Sequence, residues 1–153
     1  IWDLRSPILE THDLAAALGA FAKALIRDQP VRFTSVVSGN DSARPPKVDN
    51  QLLRIGQEAI TNAVRHSGAR RISLEITFGP QLVSLRVDDD GRGFEDNRSS
   101  VEEESHYGLT TMRERAEELG GTLTITTAVG RGTSVEAVVP LSGHARSRLP
   151  AAI

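Results

Sequence analysis

Glu58, Asn62 and His66 recur at every fourth position of one segment, and on a helix that spacing points all three side chains the same way. The face they form joins a carboxylate able to orient or deprotonate a nucleophile, an amide carbonyl suited to Mg²⁺ as a hard oxygen ligand, and, with Arg65, cationic groups able to approach phosphate oxygens. Taken alone, three such residues describe the solvated side of an amphipathic helix equally well. Further along, Asp89-x-Gly91-x-Gly93 stands where an alternating segment ends, and its glycines permit torsions and a ligand approach that a Cβ would block. Three successive carboxylates, Asp88 to Asp90, would repel a polyphosphate. This corner therefore suits the base of a nucleotide, with an Asp oxygen accepting from an exocyclic amine. The local alternative is an acidic glycine-rich turn. An EF-hand is excluded, because Gly91 arrives too early in the ligand series. Gly108 stands at the expected start of a helix, where free N–H groups favour phosphate. Gly130-Arg131-Gly132-Thr133 is open to reading as a hairpin turn or as a second loop beside a ligand.

The elements that must position these residues are legible from periodicity. Asp13 to Asp28 places Leu14, Leu18, Phe21, Ala22 and Leu25 at helical spacing, closed by Pro30. Val31 to Val37 alternates as a strand with Val31, Phe33, Ser35 and Val37 on one side, and a Gly-, Ser- and Pro-rich loop follows to Pro46. Asn50 to Ser67 has a continuous apolar stripe and ends at Gly68. Arg71 to Phe78 and Leu82 to Val87 form a hairpin about Gly79-Pro80. Glu95 to Tyr107 is a polar run of 13 residues with five carboxylates, expected to be mobile. Leu109 to Leu119 is a helix stopped by Gly120-Gly121, and Thr122 to Ala128 and Thr133 to Val139 form a second hairpin. Hairpins separated by helices favour an α/β two-layer sandwich: a mixed, largely antiparallel sheet with helices on one face.

Composition narrows the function. The chain has 153 residues, enough for one domain with a continuous core. Its 18 basic residues against 20 acidic ones give a formal charge of -2, which argues against nucleic acid as partner. With no cysteine, disulfides, thiolate metal sites and a Cys nucleophile are excluded, and a reducing, cytoplasmic setting fits. No apolar run approaches the roughly 20 residues that span a bilayer. Opening on Ile1, with Ile1, Leu4 and Ile8 at helical spacing and a stop near Pro7, the chain reads as a fragment that starts in the last turns of an upstream helix.

Four weak signals in a fixed order make a specific one. QEAITNAVRHSGA at Gln57 to Ala69, VDDDGRGF at Val87 to Phe94, YGLTTMRERAEELGG at Tyr107 to Gly121 and GRGTSV at Gly130 to Val135 resemble the N box and three glycine boxes of histidine kinase ATP-binding domains. These belong to the GHKL (Bergerat-fold) ATPase superfamily. DLRSPILE at Asp3 to Glu10 resembles the junction after the dimerisation helices in the subfamily that partners nitrate-regulator-type response regulators. The resemblance implies a division into residues 1–11 as helix end and junction, 12–141 as ATP-binding catalytic domain and 142–153 as flexible tail. It implies ATP and Mg²⁺ as cofactors, with Asn62 ligating the metal and Glu58 polarising the attacking group or ordering the metal's water. Arg65 and His66 would lie near the phosphates, Asp89 would bind the adenine amine, and Gly91 and Gly93 would shape the base pocket. Gly108 and Leu109 would line the lid hinge and phosphate region, and Thr133 would support the adenine side. His106 departs from the pattern, standing where the family often has the first glycine of Gly-x-Gly.

The same resemblance implies γ-phosphoryl transfer to a histidine on the dimerisation domain of the same protein, for relay to an Asp of a response regulator. His12 is not that acceptor, because only one helix fits after it before Pro30 and a two-helix dimerisation hairpin needs a second arm. His144 has no local partner, so the acceptor is expected upstream. The fragment is expected to be monomeric, cut from a parent that is cytoplasmic at this end and open to membrane anchoring. The alternatives are a nucleotide-gated interaction module without phosphotransfer and an anti-sigma-type serine kinase of the same ATPase group.

Overall fold

The computed structural model describes residue 9 and residues 13–40, 43–94 and 103–141. The upstream turns apart from Leu9, both His12 and His144, most of the polar run after Phe94 and the tail from 142 lie outside the described residues. The elements are α1 (Leu14–Leu25), β1 (Arg32–Gly39), α2 (Pro46–Arg65), β2 (Arg71–Phe78), β3 (Leu82–Asp89), α3 (Glu103–Glu118), β4 (Thr122–Thr127) and β5 (Thr133–Pro140). The strands form one sheet in the order β1-β2-β3-β5-β4. β1 and β2 are parallel because α2 carries the chain back between them, and every other pair is antiparallel.

Burial alternates along the central strands: Ile72, Leu74, Ile76 and Phe78 of β2 and Val83, Leu85 and Val87 of β3 face the core, while the residues between them are partly exposed. One face of the sheet is thus covered and the other open, as expected of a largely antiparallel sheet in a two-layer sandwich. α2 supplies the centre of the helical layer with Leu52, Ile55, Ala59, Ile60 and Ala63, and α3 adds Met112 and Ala116. Gly56 is what lets α1 close on α2, since a Cβ there would stand 2.7 Å from a Leu18 methyl. Leu9 is buried in the same core.

Three expectations need correction. β1 does not bury one side throughout: Phe33 is half-buried, but Val36 and Val37 are exposed, because β1 is an edge strand that overhangs the helical layer. α2 begins at Pro46 and not at Asn50. Pro46 is preset for the first helical position, and the first turn is held by a buried ion pair in which Arg44 Nε meets Asp49 Oδ1 at 2.5 Å, with the Arg44 guanidinium over the Phe78 ring. α3 begins at Glu103, so the end of the polar run expected to be mobile, Glu103 to Tyr107, is helical.

Candidate functional site

Asp89 ends β3 in the same alternation that buries Val83, Leu85 and Val87, so its side chain faces the helical layer at the sheet's end. Its Oδ1 accepts from the Gly91 N–H at 2.8 Å. Burial pushes Asp89 above the ordinary carboxylate range, the hydrogen bonds from Gly91, Ser67 and Thr133 act against that rise, and neighbouring Asp90 adds to it. Two oxygens offer about four lone-pair directions, so the bond from Gly91 leaves room for an external donor.

Two glycines make this corner possible. A Cβ on Gly91 would overlap Ser67, just beyond the end of α2. Gly132 adopts φ +78, and a Cβ there would overlap the Asp89 carbonyl. The β4–β5 turn is therefore more than a hairpin connection: it lies on the acidic corner, joined to it by Gly130 N–H donating to the Arg92 carbonyl at 2.6 Å. Gly93, at φ +61, packs on the Ala128 carbonyl of the same turn.

The three aspartates divide the work. Asp88 points to the open face and pairs with Arg86 at 3.0 Å. Asp90 Oδ1 accepts from the Arg70 and Arg71 N–H groups at 2.9 Å each, tying the corner to the start of β2. The Arg71 N–H, followed by that of Arg70, holds Asp90 below the ordinary carboxylate range. A depressed pKa contributes stability that is present above the unfolded-state value and is lost as pH falls through the folded one. Asp90→Ala is therefore expected to lower stability at neutral pH by only about 1 kcal/mol, solvent keeping the loss small. The loss should shrink in acid melts as pH falls below the ordinary carboxylate range, with selectivity among nucleotides unchanged; undiminished stability at neutral pH would show that these bonds contribute nothing.

The other end of the site lies upstream on the same helix. A Cβ on Gly108 would overlap Glu58 Oε1, so the glycine lets α3 press against that carboxylate. Glu58 also lines a hollow of about 270 Å³ among the three helices, with Phe21, Arg54, Thr111 and Arg115. Asn62 is half-buried between Glu58 and Ser67, and no hydrogen bond joins its amide to another described side chain. At about 1.5 Å per residue, the nine positions from Glu58 to Ser67 separate the two ends by roughly 13 Å along the axis. Arg65 and His66 are exposed in the last turn, and the His66 carbonyl accepts from Arg92 Nε at 2.8 Å.

Two predicted placements change. Gly108 does not start a helix: it is the sixth residue of α3 and buried, so its N–H falls beyond the free donors of the first turn. Leu109 is packed against the core. Thr133 is paired in register with Asp89, and its Oγ1 lies 2.9 Å from Thr127 Oγ1. Three participants were missed. Ser67 and Arg92 fasten the corner to α2, with Arg92 N–H donating to the Ser67 carbonyl at 2.9 Å. Thr127 accepts from the Phe94 N–H at 3.1 Å. Ser67 alone had a signal, as a hydroxyl directly before the helix-ending glycine.

A mixed sheet under one helical layer, with an acidic corner at the C-terminal end of α2 and an Asn/Glu flank one to two turns upstream on the same helix, defines a nucleotide-binding domain of the two-layer α/β class. The chain belongs to the histidine kinase-, DNA gyrase B-, and HSP90-like ATPase family, whose model matches residues 47–143, and it is an ATP-binding domain of that family. It is 36% identical over 147 residues to the sensor protein VraS of Staphylococcus aureus, covering 92% of this chain and 41% of that one. It is 33% identical over 138 residues to the sensor histidine kinase LiaS of Bacillus subtilis, covering 90% and 37%. The chain thus spans about two fifths of the length of these relatives. The solved histidine kinase domain of the Erythrobacter litoralis EL346 blue-light activated histidine kinase aligns with a TM-score of 0.65 at 25% identity, covering 84% of this chain and 61% of that one. Among the described residues no helix is long and apolar enough to cross a membrane.

Proposed function

We propose that this domain holds Mg-ATP along α2 and passes its γ-phosphoryl group to a histidine on a dimerisation domain of the same protein, for relay to an Asp of a response regulator. The observation that carries the reading is the placement of two unlike sites on one helix: the acidic corner at Ser67 and the Glu58 carboxylate at the hollow. Asp89 takes the adenine amine, Gly91 and Gly93 shape the base pocket and Thr133 backs it. The triphosphate then runs toward Asn62, with Arg65 and His66 at its flank. The donor set fits Mg²⁺, which usually takes one or two protein oxygens and completes its shell with phosphate oxygens and water. Among the described residues no group of three acidic, His or Cys side chains forms a self-sufficient metal site, so Asn62, with Glu58 nearby, would hold the ion only together with the nucleotide. When bound, the ion would neutralise charge on the phosphates.

Glu58 orients the incoming acceptor, which reaches it from the hollow between α1 and α3. Little covalent chemistry is asked of the protein, so positioning and charge neutralisation carry the rate. The Asp3 to Glu10 junction supports the subfamily that partners nitrate-regulator-type regulators, and the names of VraS and LiaS as sensor proteins support the two-component setting. The fragment alone is expected to be monomeric and to turn ATP over very slowly.

Reconstitution with an upstream dimerisation segment and γ-labelled ATP tests this. Acid-labile, base-stable label on that segment is the expected result. Label on a partner's serine, or bound ATP with no transfer, would overturn it in favour of a switch kinase or a nucleotide-gated module.

A further inference from the structure

The hollow beside Glu58 holds more charge than the nucleotide chemistry uses. Among the described residues that line it, Glu58 is the single carboxylate, against the two guanidiniums of Arg54 and Arg115. Arg115 is fixed: its Nη1 donates to Gln51 Oε1 at 2.8 Å, and Gln51 Nε2 in turn donates to Glu118 at 3.1 Å. Arg54 is exposed, one turn before Glu58 on α2. That spacing suits an ion pair, although a cation before a carboxylate is the weaker order, and yet neither residue has a hydrogen bond or ion pair with another described residue. Thr61 and Thr111 spend their hydroxyl protons on the Gln57 and Tyr107 carbonyls, so donation into the hollow falls to the two arginines and the Gln57 amide. One cation at its rim is unspent.

We infer that Arg54 selects the acceptor: it receives a carboxylate that the dimerisation segment presents within one helical turn of its histidine, while Glu58 takes the imidazole. The inference rests on Glu58 orienting that histidine. Arg54 and Glu58 are four positions apart, about 6 Å along the axis, so a helix laid along α2 meets both when its histidine and its carboxylate share one face. Charge decides the occupant. A basic segment would bring like charge against Arg54 and Arg115 in a hollow walled by Phe21 and Met112, where screening is weaker than in water. Because Arg54 remains exposed, its contact belongs to a polar rim, and a rim charge acts on encounter and choice of partner. Nucleotide binding makes no call on it, since Arg54 lies about two turns upstream of Asn62, on the side away from the acidic corner.

Arg54→Gln removes the charge and breaks no described contact. With the dimerisation segment added as a separate chain and γ-labelled ATP, its expected signature is a KM for the segment raised about five- to thirtyfold at low salt, with kcat and ATP affinity each within about twofold. The difference from the unmodified domain should shrink as salt is added, and Arg54→Lys, which keeps the charge, should recover most of the loss. The decisive comparison is a reversal: each Asp or Glu within one turn of the accepting histidine is changed singly to Arg, and one of these changes should slow the unmodified domain and be compensated by Arg54→Glu. An unchanged KM in Arg54→Gln, a loss carried by ATP affinity, a reversal without compensation, or a segment with no carboxylate in that turn would overturn the inference while leaving transfer itself intact. A segment that the unmodified domain never labels would instead remove the reading on which it depends.

Discussion

Asp89→Asn is expected to weaken ATP binding by about 1.5 to 3 kcal/mol, roughly ten- to more than a hundredfold, while leaving the fold intact. The reason for the split is that affinity and stability ask opposite things of this carboxylate. Adenine presents an amine donor where guanine presents a carbonyl oxygen, so an acceptor-only carboxylate selects the one and repels the other. The folded protein gains nothing from the charge: burial raises the Asp89 pKa, and the bonds from Gly91, Ser67 and Thr133 only reduce the rise. For a carboxyl raised on folding, the neutral form is the better folded, and stability falls as pH climbs from the unfolded-state value through the folded one. Asparagine keeps an acceptor oxygen for the Gly91 and Thr133 N–H groups and removes the buried charge. Its melting temperature should equal or exceed that of the unmodified domain above this pH window. Calorimetry with ATP and GTP decides the matter: equal affinities for the two in the unmodified domain would contradict the assignment, as would a variant that loses ATP only because it unfolds.

Features set by periodicity are legible in the sequence, and features set by contact between distant segments mostly are not. The β2–β3 hairpin lies within two residues of its expected span because both strands alternate strictly and Gly79-Pro80 interrupts them. The start of α2 is obscured because Pro45 and Pro46 read as loop, whereas one of them presets the first helical turn. α3 is longer than its apolar spacing indicates because Glu103 to Tyr107 has no apolar stripe, and periodicity is silent where a segment carries no aliphatic residue. The same silence puts Gly108 at an apparent helix start. Its glycine has a different cause, the Glu58 carboxylate against it, which only the packed structure reveals. Ser67, Arg92 and Thr127 escape notice for a related reason: each touches a distant segment, and no local pattern marks a contact across 24 or more positions, as between Ser67 and Gly91. The family motifs compensate for this at Asp89, Gly93 and Thr133.

Asn62→Ala should produce the complementary failure, loss of magnesium dependence with base selectivity intact. The amide lies between the two ends of the site, half-buried, with no hydrogen bond to another described side chain, so its removal breaks no described contact and alanine favours the helix slightly. Stability should hold. What is lost is a hard oxygen beside the phosphates, and since magnesium takes so few protein ligands, removing one is expected to lower its affinity by at least about tenfold to a hundredfold. ATP titrated without the metal should bind the variant and the unmodified domain alike; with it, only the unmodified domain should tighten. An unchanged magnesium titration would place the ion on other residues. Paired with Asp89→Asn, which should retain the magnesium response and lose the preference for adenine, this outcome separates the two ends of the pocket chemically. Only a nucleotide stretched along α2 predicts such a double dissociation, because a ligand confined to either end would leave one of the two responses untouched.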